Sequence, residues 1–204
     1  MQFGMPPLLE LNSTEDYAKL CYELDLSFIE LNMNLPAYQV NRIDIAHFSK
    51  IAEQYGIYYT LHLDENLNPC DFNDKVATAY SKTVLQAIEI AKRLNVPILN
   101  MHLNSGVWFT LPNKKVFLFE KYKPEFLRKL TDFRNACEKT IGDANINICV
   151  ENCGDFGNKL YIKDGLELLL ESSAFALTFD VGHNAGADYS DEQTIIENIA
   201  YAHP

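Results

Sequence analysis

Short apolar runs rich in β-branched and aromatic residues alternate along this chain with longer stretches whose apolar positions recur at helical spacing. That alternation is the signature of βαβ units. It predicts strands near residues 2–4, 28–32, 58–63, 98–103, 146–152 and 176–181. The helices between them have readable ends. Ser13 or Thr14 caps a helix through Leu24, with Glu15 and Asp16 in its first turn, where negative charge is favoured. A second is predicted over 43–55, stopped by Gly56. The longest spans 72–94 and turns Val76, Ala79, Val84, Ala87, Ile88 and Ala91 inward. Pro124 suits the first turn of a helix reaching Ile141, and shorter helices are predicted over 163–170 and 191–200.

Five polar residues close the strands. His62 follows Tyr-Tyr-Thr-Leu, His102 follows Ile-Leu-Asn-Met, Glu151 follows Ile-Cys-Val, Asp180 follows Leu-Thr-Phe, and His183 lies just beyond it. Strand side chains alternate between faces, so counting back in twos groups Tyr58, Thr60, His62 and Asp64; Asn100 and His102; Asn147, Cys149 and Glu151; and Thr178 and Asp180. Polar residues recur on these faces, which is unusual for pure core. Any one of them has an ordinary explanation as a hydrogen-bonded strand end or a turn former. Together they place three of the five histidines and two carboxylates at the same end of successive strands. Side chains so delivered converge only if the strands are parallel and curl about a common axis, as at the active end of a (β/α) barrel. Imidazole and carboxylate suit Zn²⁺, Mn²⁺ or Fe²⁺ better than the all-oxygen sites of Ca²⁺.

The fold class is therefore α/β, a TIM-type (β/α) barrel. About six units fit in 204 residues, whereas eight at this spacing would take about 270, near the usual barrel size. Residues 1–204 are expected to form a single barrel domain, incomplete at its C-terminus by about two units, with an open doubly wound sheet as the alternative. Two missing units would leave an open sheet edge, a liability that a partner such as a second copy of the chain would cover. The Pro and Gly residues are scattered, and nothing in the composition marks an internal boundary.

Composition changes the picture only by exclusion. A net charge of -11 disfavours a binder of nucleic-acid backbones, although a local basic cleft can sit on an acidic protein. Five cysteines without a CxxC pair fit a reducing compartment better than a disulfide framework, and Cys149 and Cys153 read as small buried fillers beside Glu151. No signal-peptide pattern opens the chain and no run of 18 apolar residues occurs, so a cytoplasmic location away from membranes is expected.

Three further segments bear on function. Glu30 ends Phe-Ile-Glu-Leu-Asn and is placed to bind a substrate hydroxyl, to orient a ligand histidine through its second nitrogen, or to form a salt bridge within the barrel. Residues 107–119 read as a hairpin turning at Pro112 and Asn113, which makes Trp108 and Phe109 candidates either for a substrate-covering lid or for packing over the barrel mouth. His47, mid-helix among Ile45, Ala46 and Phe48, reads as structural, and terminal His203 is assigned nothing.

These residues together resemble the xylose isomerase-like barrel superfamily, which includes sugar isomerases and epimerases and the endonuclease IV type of apurinic endonuclease. The most specific pieces are Glu151-Asn-Cys-Gly-Asp-Phe-Gly157 and Thr178-Phe-Asp-Val-Gly-His183, supported by Leu61-His62 and Met101-His102. The resemblance implies a metal-binding or metal-bridging role for Glu151 and a metal-binding one for Asp180. It implies that His183 contacts substrate in the epimerase branch and a third zinc in the endonuclease branch, where His62 and His102 would bind a further zinc. The family also draws a histidine from its seventh strand and a glutamate from its eighth. The expected activity is a metal-dependent isomerase or epimerase of sugars or sugar phosphates, using Mn, Zn, Co or Mg, with Glu151 and His183 catalytic. An apurinic endonuclease is the runner-up, for which Lys114, Lys115 and Lys159 offer only a sparse basic rim. A non-catalytic binding barrel is the third reading.

Overall fold

The computed structural model describes residues 1–153 and 156–202, so Gly154 and Asp155 of the Glu151–Gly157 motif, and His203, lie outside the described residues. Six strands form one parallel sheet: β1 (Gly4–Met5), β2 (Phe28–Asn32), β3 (Tyr58–His62), β4 (Ile98–His102), β7 (Asn147–Glu151) and β8 (Phe175–Thr178). Between β4 and β7 the chain inserts an antiparallel hairpin of β5 (Trp108–Leu111) and β6 (Lys114–Phe117), which turns at Pro112 and Asn113 as expected. The helices are α1 (Thr14–Glu23), α2 (Ile45–Tyr55), α3 (Asp74–Leu94), α4 (Leu118–Lys121), α5 (Lys123–Ile141), α6 (Leu160–Leu170), α7 (Val181–Gly186) and α8 (Ser190–Ala202).

Strand order in the sheet follows chain order without reversal, β1-β2-β3-β4-β7-β8. A doubly wound sheet reverses its order at a switch point, so that alternative is set aside. The register also keeps the strand ends level. Asn32 pairs with His62, His62 with Asn100, His102 with Glu151, and Glu151 with Thr178. Side chains at successive strand ends are thus delivered to one rim.

The two faces of the sheet differ in chemistry. Ile29, Leu31, Tyr59, Leu61, Leu99, Met101, Ile148 and Val150 are buried. The Tyr59 hydroxyl donates to the Phe48 carbonyl of α2 at 3.1 Å, which identifies this as the helix-facing side. Alternating with them, Glu30, Thr60, His62, Asn100, His102, Cys149 and Glu151 share the opposite face. Full burial of one face behind helices is what a parallel sheet requires.

Helix ends follow the expected chemistry with small displacements. Ser13 caps α1 by accepting from the Asp16 N–H, and Gly56 closes α2 in the left-handed region at φ 65°. Asn95 does the same for α3 at φ 54°, a position where a side-chain amide is tolerated. The α2 helix starts at Ile45 because Asp44 caps it, and α3 starts at Asp74 because Asn73 does. On α3, Val84, Ala87, Ile88 and Ala91 are buried as expected, whereas Ala79 is exposed and Ala77 takes the inward place near it. The first strand is Gly4–Met5 rather than 2–4, and α6 begins at Leu160 rather than at 163.

One correction affects the site. The last strand stops at Thr178, and Asp180 is not its end but the N-cap of α7, a short helix that the apolar pattern did not reveal.

Candidate metal centre

Glu151 lies at the centre of the polar face. Its side chain is 8% exposed, and three imidazoles face its carboxylate. His62 Nε2 is 3.4 Å from Oε2, while His102 Nε2 and His183 Nε2 are 3.6 and 3.2 Å from Oε1. The rings of His62 and His102 stand edge to face with centroids 5.2 Å apart, and those of His102 and His183 do so at 5.7 Å. Potential ligand atoms fall into two groups that share Glu151: His62, His102 and Glu151, and Glu151, Asp180 and His183. The strand-end residues His62 and His102, the α7 cap Asp180 and His183 of α7 are therefore brought together around Glu151.

The histidines are prepared in different ways. The His62 Nδ1–H donates to the Leu63 carbonyl at 2.8 Å, so in its neutral form the lone pair is on Nε2 and points to Glu151. His102 Nε2 is buried and has no hydrogen-bond partner among the described residues. A buried, unpartnered imidazole nitrogen costs about 1–3 kcal/mol unless something binds it. His183 is 43% exposed at the edge of the cluster and borders an open cleft with Cys153, Asn158 and Gly182. Asp180 uses Oδ1 to accept from the His183 N–H at 2.6 Å.

Electrostatics separate the carboxylate from its surroundings. Burial acts to raise the Glu151 pKa, but the His102 and His62 imidazoles outweigh it and hold the carboxyl at about 2. Burial acts to lower the His62 pKa, and there too the opposing partners, Glu151 and the Leu63 carbonyl, win and raise it. An ionised carboxylate with three imidazole nitrogens within 3.6 Å of it is a donor set that a divalent ion of the zinc or manganese type satisfies. The orphaned His102 nitrogen fits that reading.

A family model described as xylose isomerase-like TIM barrel matches residues 18–204. The chain belongs to the xylose isomerase-like TIM barrel family. It carries about six of that barrel's β/α units. No curated protein matches it. Solved barrels with the same fold include a D-tagatose 3-epimerase-like protein, with TM-score 0.73 and 22% identity over 97% of this chain and 71% of that one. A D-psicose 3-epimerase has TM-score 0.68 and 16% identity over 97% of this chain and 70% of that one. The 3-keto-D-glucoside 4-epimerase of E. coli has TM-score 0.72 and 13% identity over 98% of this chain and 76% of that one. At these identities the likeness is one of fold.

Other expected site residues lie at varying depth in this family member. Glu30 accepts a hydrogen bond from Asn100 Nδ2, and Asn100 Oδ1 in turn accepts from Thr178 Oγ1 at 2.5 Å. Glu30 does not hydrogen-bond a histidine, since the backbone of Leu63 already orients His62. Trp108 and Phe109 are both exposed on the hairpin, and Trp108 borders a cleft with Asn66, Asn68, Tyr80 and Asn104. Lys115 sits 5.5 Å above the Trp108 ring and Lys159 5.1 Å above Phe117, so two of the three rim lysines are placed on aromatic faces. His47 is exposed on α2, edge-on to Phe48. Cys149 is buried, whereas Cys153 is half-buried and reaches the cleft.

Strand alternation places Asn100 on the polar face but gives it no role; it is a poor strand former at the middle of β4, and that mismatch is a signal of its part there. A second residue, Asn152, was not singled out by the sequence reading. Asn152 is wholly buried and bonds to the backbone of Asp180. Its side-chain partner is a backbone 28 residues away, which no local pattern reveals. Among the described residues, no helix is long and apolar enough to cross a membrane.

Proposed function

We propose that this protein is a divalent-metal-dependent isomerase or epimerase of sugars or sugar phosphates, acting by proton transfer beside a carbonyl. The observation that carries the reading is the Glu151 carboxylate within 3.2–3.6 Å of three imidazole nitrogens, one of them buried with no hydrogen-bond partner among the described residues. The three solved barrels named above, two epimerases and an epimerase-like protein, support the same class.

His62, His102, Glu151, Asp180 and His183 would hold the ion. Such an ion supplies Lewis acidity that polarises a carbonyl oxygen and acidifies the adjacent C–H. Glu151, ionised across the physiological range, stands where a carboxylate can accept that proton and return it. His183, the most exposed of the cluster, is placed to donate to or accept from a substrate hydroxyl. Glu30, fixed by Asn100, offers a second carboxylate deeper on the same face. Trp108 and Phe109 present apolar surface at the rim, where sugar C–H faces can pack and water can be excluded. The reaction needs no nucleic-acid or membrane partner.

The runner-up, hydrolysis of abasic DNA, is favoured by one feature only, the sharing of Glu151 between two potential ligand groups. It is disfavoured by the net charge of -11 and by the occupation of Lys115 and Lys159 on aromatic faces.

The test is deuterium wash-in from D₂O at the carbon next to the carbonyl of ketopentoses, ketohexoses and their phosphates, followed by proton NMR with Mn²⁺ or Co²⁺ present. Metal-dependent exchange that falls at least about 100-fold in Glu151→Gln, within the range for loss of an acid/base group, is expected. Exchange unaffected by that substitution would reject the role of Glu151, and incision of abasic DNA without exchange would favour the hydrolase.

A further inference from the structure

We propose that Asn152 is a positioning residue that holds Asp180, and through it His183, against Glu151. The proposal rests on the reading of this cluster as the metal centre, and it concerns how three of the five ligand candidates are kept in register.

Asn152 directly follows Glu151 and is 0% exposed. Among the described residues, both of its side-chain hydrogen bonds go to one residue. Asn152 Oδ1 accepts from the Asp180 N–H at 2.6 Å, and Asn152 Nδ2 donates to the Asp180 carbonyl at 2.9 Å. The ladder between β7 and β8 ends with the pair Glu151 and Thr178. The side-chain amide therefore adds a further pair of ladder-like bonds, at the point where the backbone of β8 has left the sheet.

That pair fixes the Asp180 backbone from both sides. With its backbone fixed, Asp180 caps α7 through Oδ1 to the His183 N–H at 2.6 Å, and its carbonyl also accepts from the Asn184 N–H at 3.1 Å. The α7 helix has only six residues, too few to be stable on its own propensity. Its start, and with it the direction in which His183 leaves the backbone, depends on the cap. His183 Nε2 then lies 3.2 Å from Glu151 Oε1, so the route returns to the residue beside Asn152. Aspartate at 152 would keep the size but set an acceptor against the Asp180 carbonyl, and alanine would leave the Asp180 N–H unpaired and its carbonyl with the Asn184 N–H alone.

The experiment uses histidine-selective ¹H–¹⁵N NMR of metal-free protein and titration with Co²⁺ followed in the visible spectrum, on wild type, Asn152→Asp and Asn152→Ala. The expected result is a shifted His183 resonance with an unchanged His47 resonance, together with Co²⁺ affinity at least about tenfold weaker and an altered visible band, the size seen when partners of metal ligands are removed. A purely structural role would lower the melting temperature and leave the His183 resonance and the Co²⁺ band as in wild type; that result in a folded variant overturns the proposal. If wild type binds no Co²⁺, the metal reading fails while the His183 resonance still decides the positioning claim. Should neither variant fold, hydrogen exchange of the wild-type Asp180 N–H decides, with slow exchange expected and exchange at the rate of an exposed amide contradicting it.

Discussion

Thr178 Oγ1 on β8 donates to Asn100 Oδ1 on β4 at 2.5 Å, although β7 lies between these two strands. Neighbouring strands are about 4.8 Å apart, so side chains two strands away meet only across the hollow of a curled sheet. Asn100 repeats this on its other side, donating through Nδ2 to Glu30 on β2 with β3 between. One amide thus bridges the concave face beneath the His and Glu cluster. Curvature and site are properties of the same residues.

Replacing Asn100 by Ala should destabilise the protein by about 1–3 kcal/mol, since a half-buried hydroxyl and a half-buried carboxylate each lose a partner. Thr178→Val, which removes only the donor, should cost less. Urea unfolding of the two variants checks both the size and the order. Equal midpoints for wild type and Asn100→Ala would show that the bridge contributes nothing.

The alternation of apolar runs made the parallel strands and the chemistry of their ends legible, because a parallel strand shows its polar face only where function or a rim demands it. His62, His102 and Glu151 could be found this way, since each terminates a regular strand. Asp180 could be found only by type. Its place as a helix cap depends on Asn152, a long-range partner that no periodicity encodes. Similarly, Glu30 announced itself as polar within β2, but its partner Asn100 lies 70 residues away in the chain. Ala79 misled because a small apolar residue fits an exposed helix face as readily as a buried one.

Gly157→Ala should perturb the segment after β7. A Cβ at Gly157 would come within 2.3 Å of the Ser190 carbonyl oxygen, so the loop or the start of α8 must move. The Gly157 N–H also donates to Asp191 Oδ1 at 3.1 Å, a bond that such movement strains. A loss of about 1–3 kcal/mol is expected, as for other overpacked positions. Thermal unfolding checks it; Gly56→Ala, where a Cβ meets nothing but the backbone is left-handed, should cost about 1 kcal/mol.

The metal-free protein should be most stable on the acid side of neutrality. Glu151, lowered to about 2, contributes stability that is present above the ordinary carboxylate range and lost as pH falls through about 2. His62, raised by its partners against the effect of burial, contributes stability that is full below about 6.5 and lost as pH rises through its raised folded value. The melting temperature of metal-free wild type should therefore fall as pH is raised through neutrality, with a shallower slope in His62→Gln. Divalent metal should reverse the slope, because the ion competes with protons for the same nitrogens. An identical pH slope in wild type and His62→Gln would count against the pairing.

The most direct test of the metal centre is equilibrium dialysis of the purified chain against Zn²⁺, Mn²⁺ and Co²⁺ with elemental analysis, in parallel with Glu151→Ala. The account predicts at least one tightly held ion per wild-type chain and its loss from Glu151→Ala, with the far-ultraviolet circular dichroism of the two proteins alike. A wild-type chain that holds no ion, or a folded Glu151→Ala variant that holds as many as wild type, would contradict it.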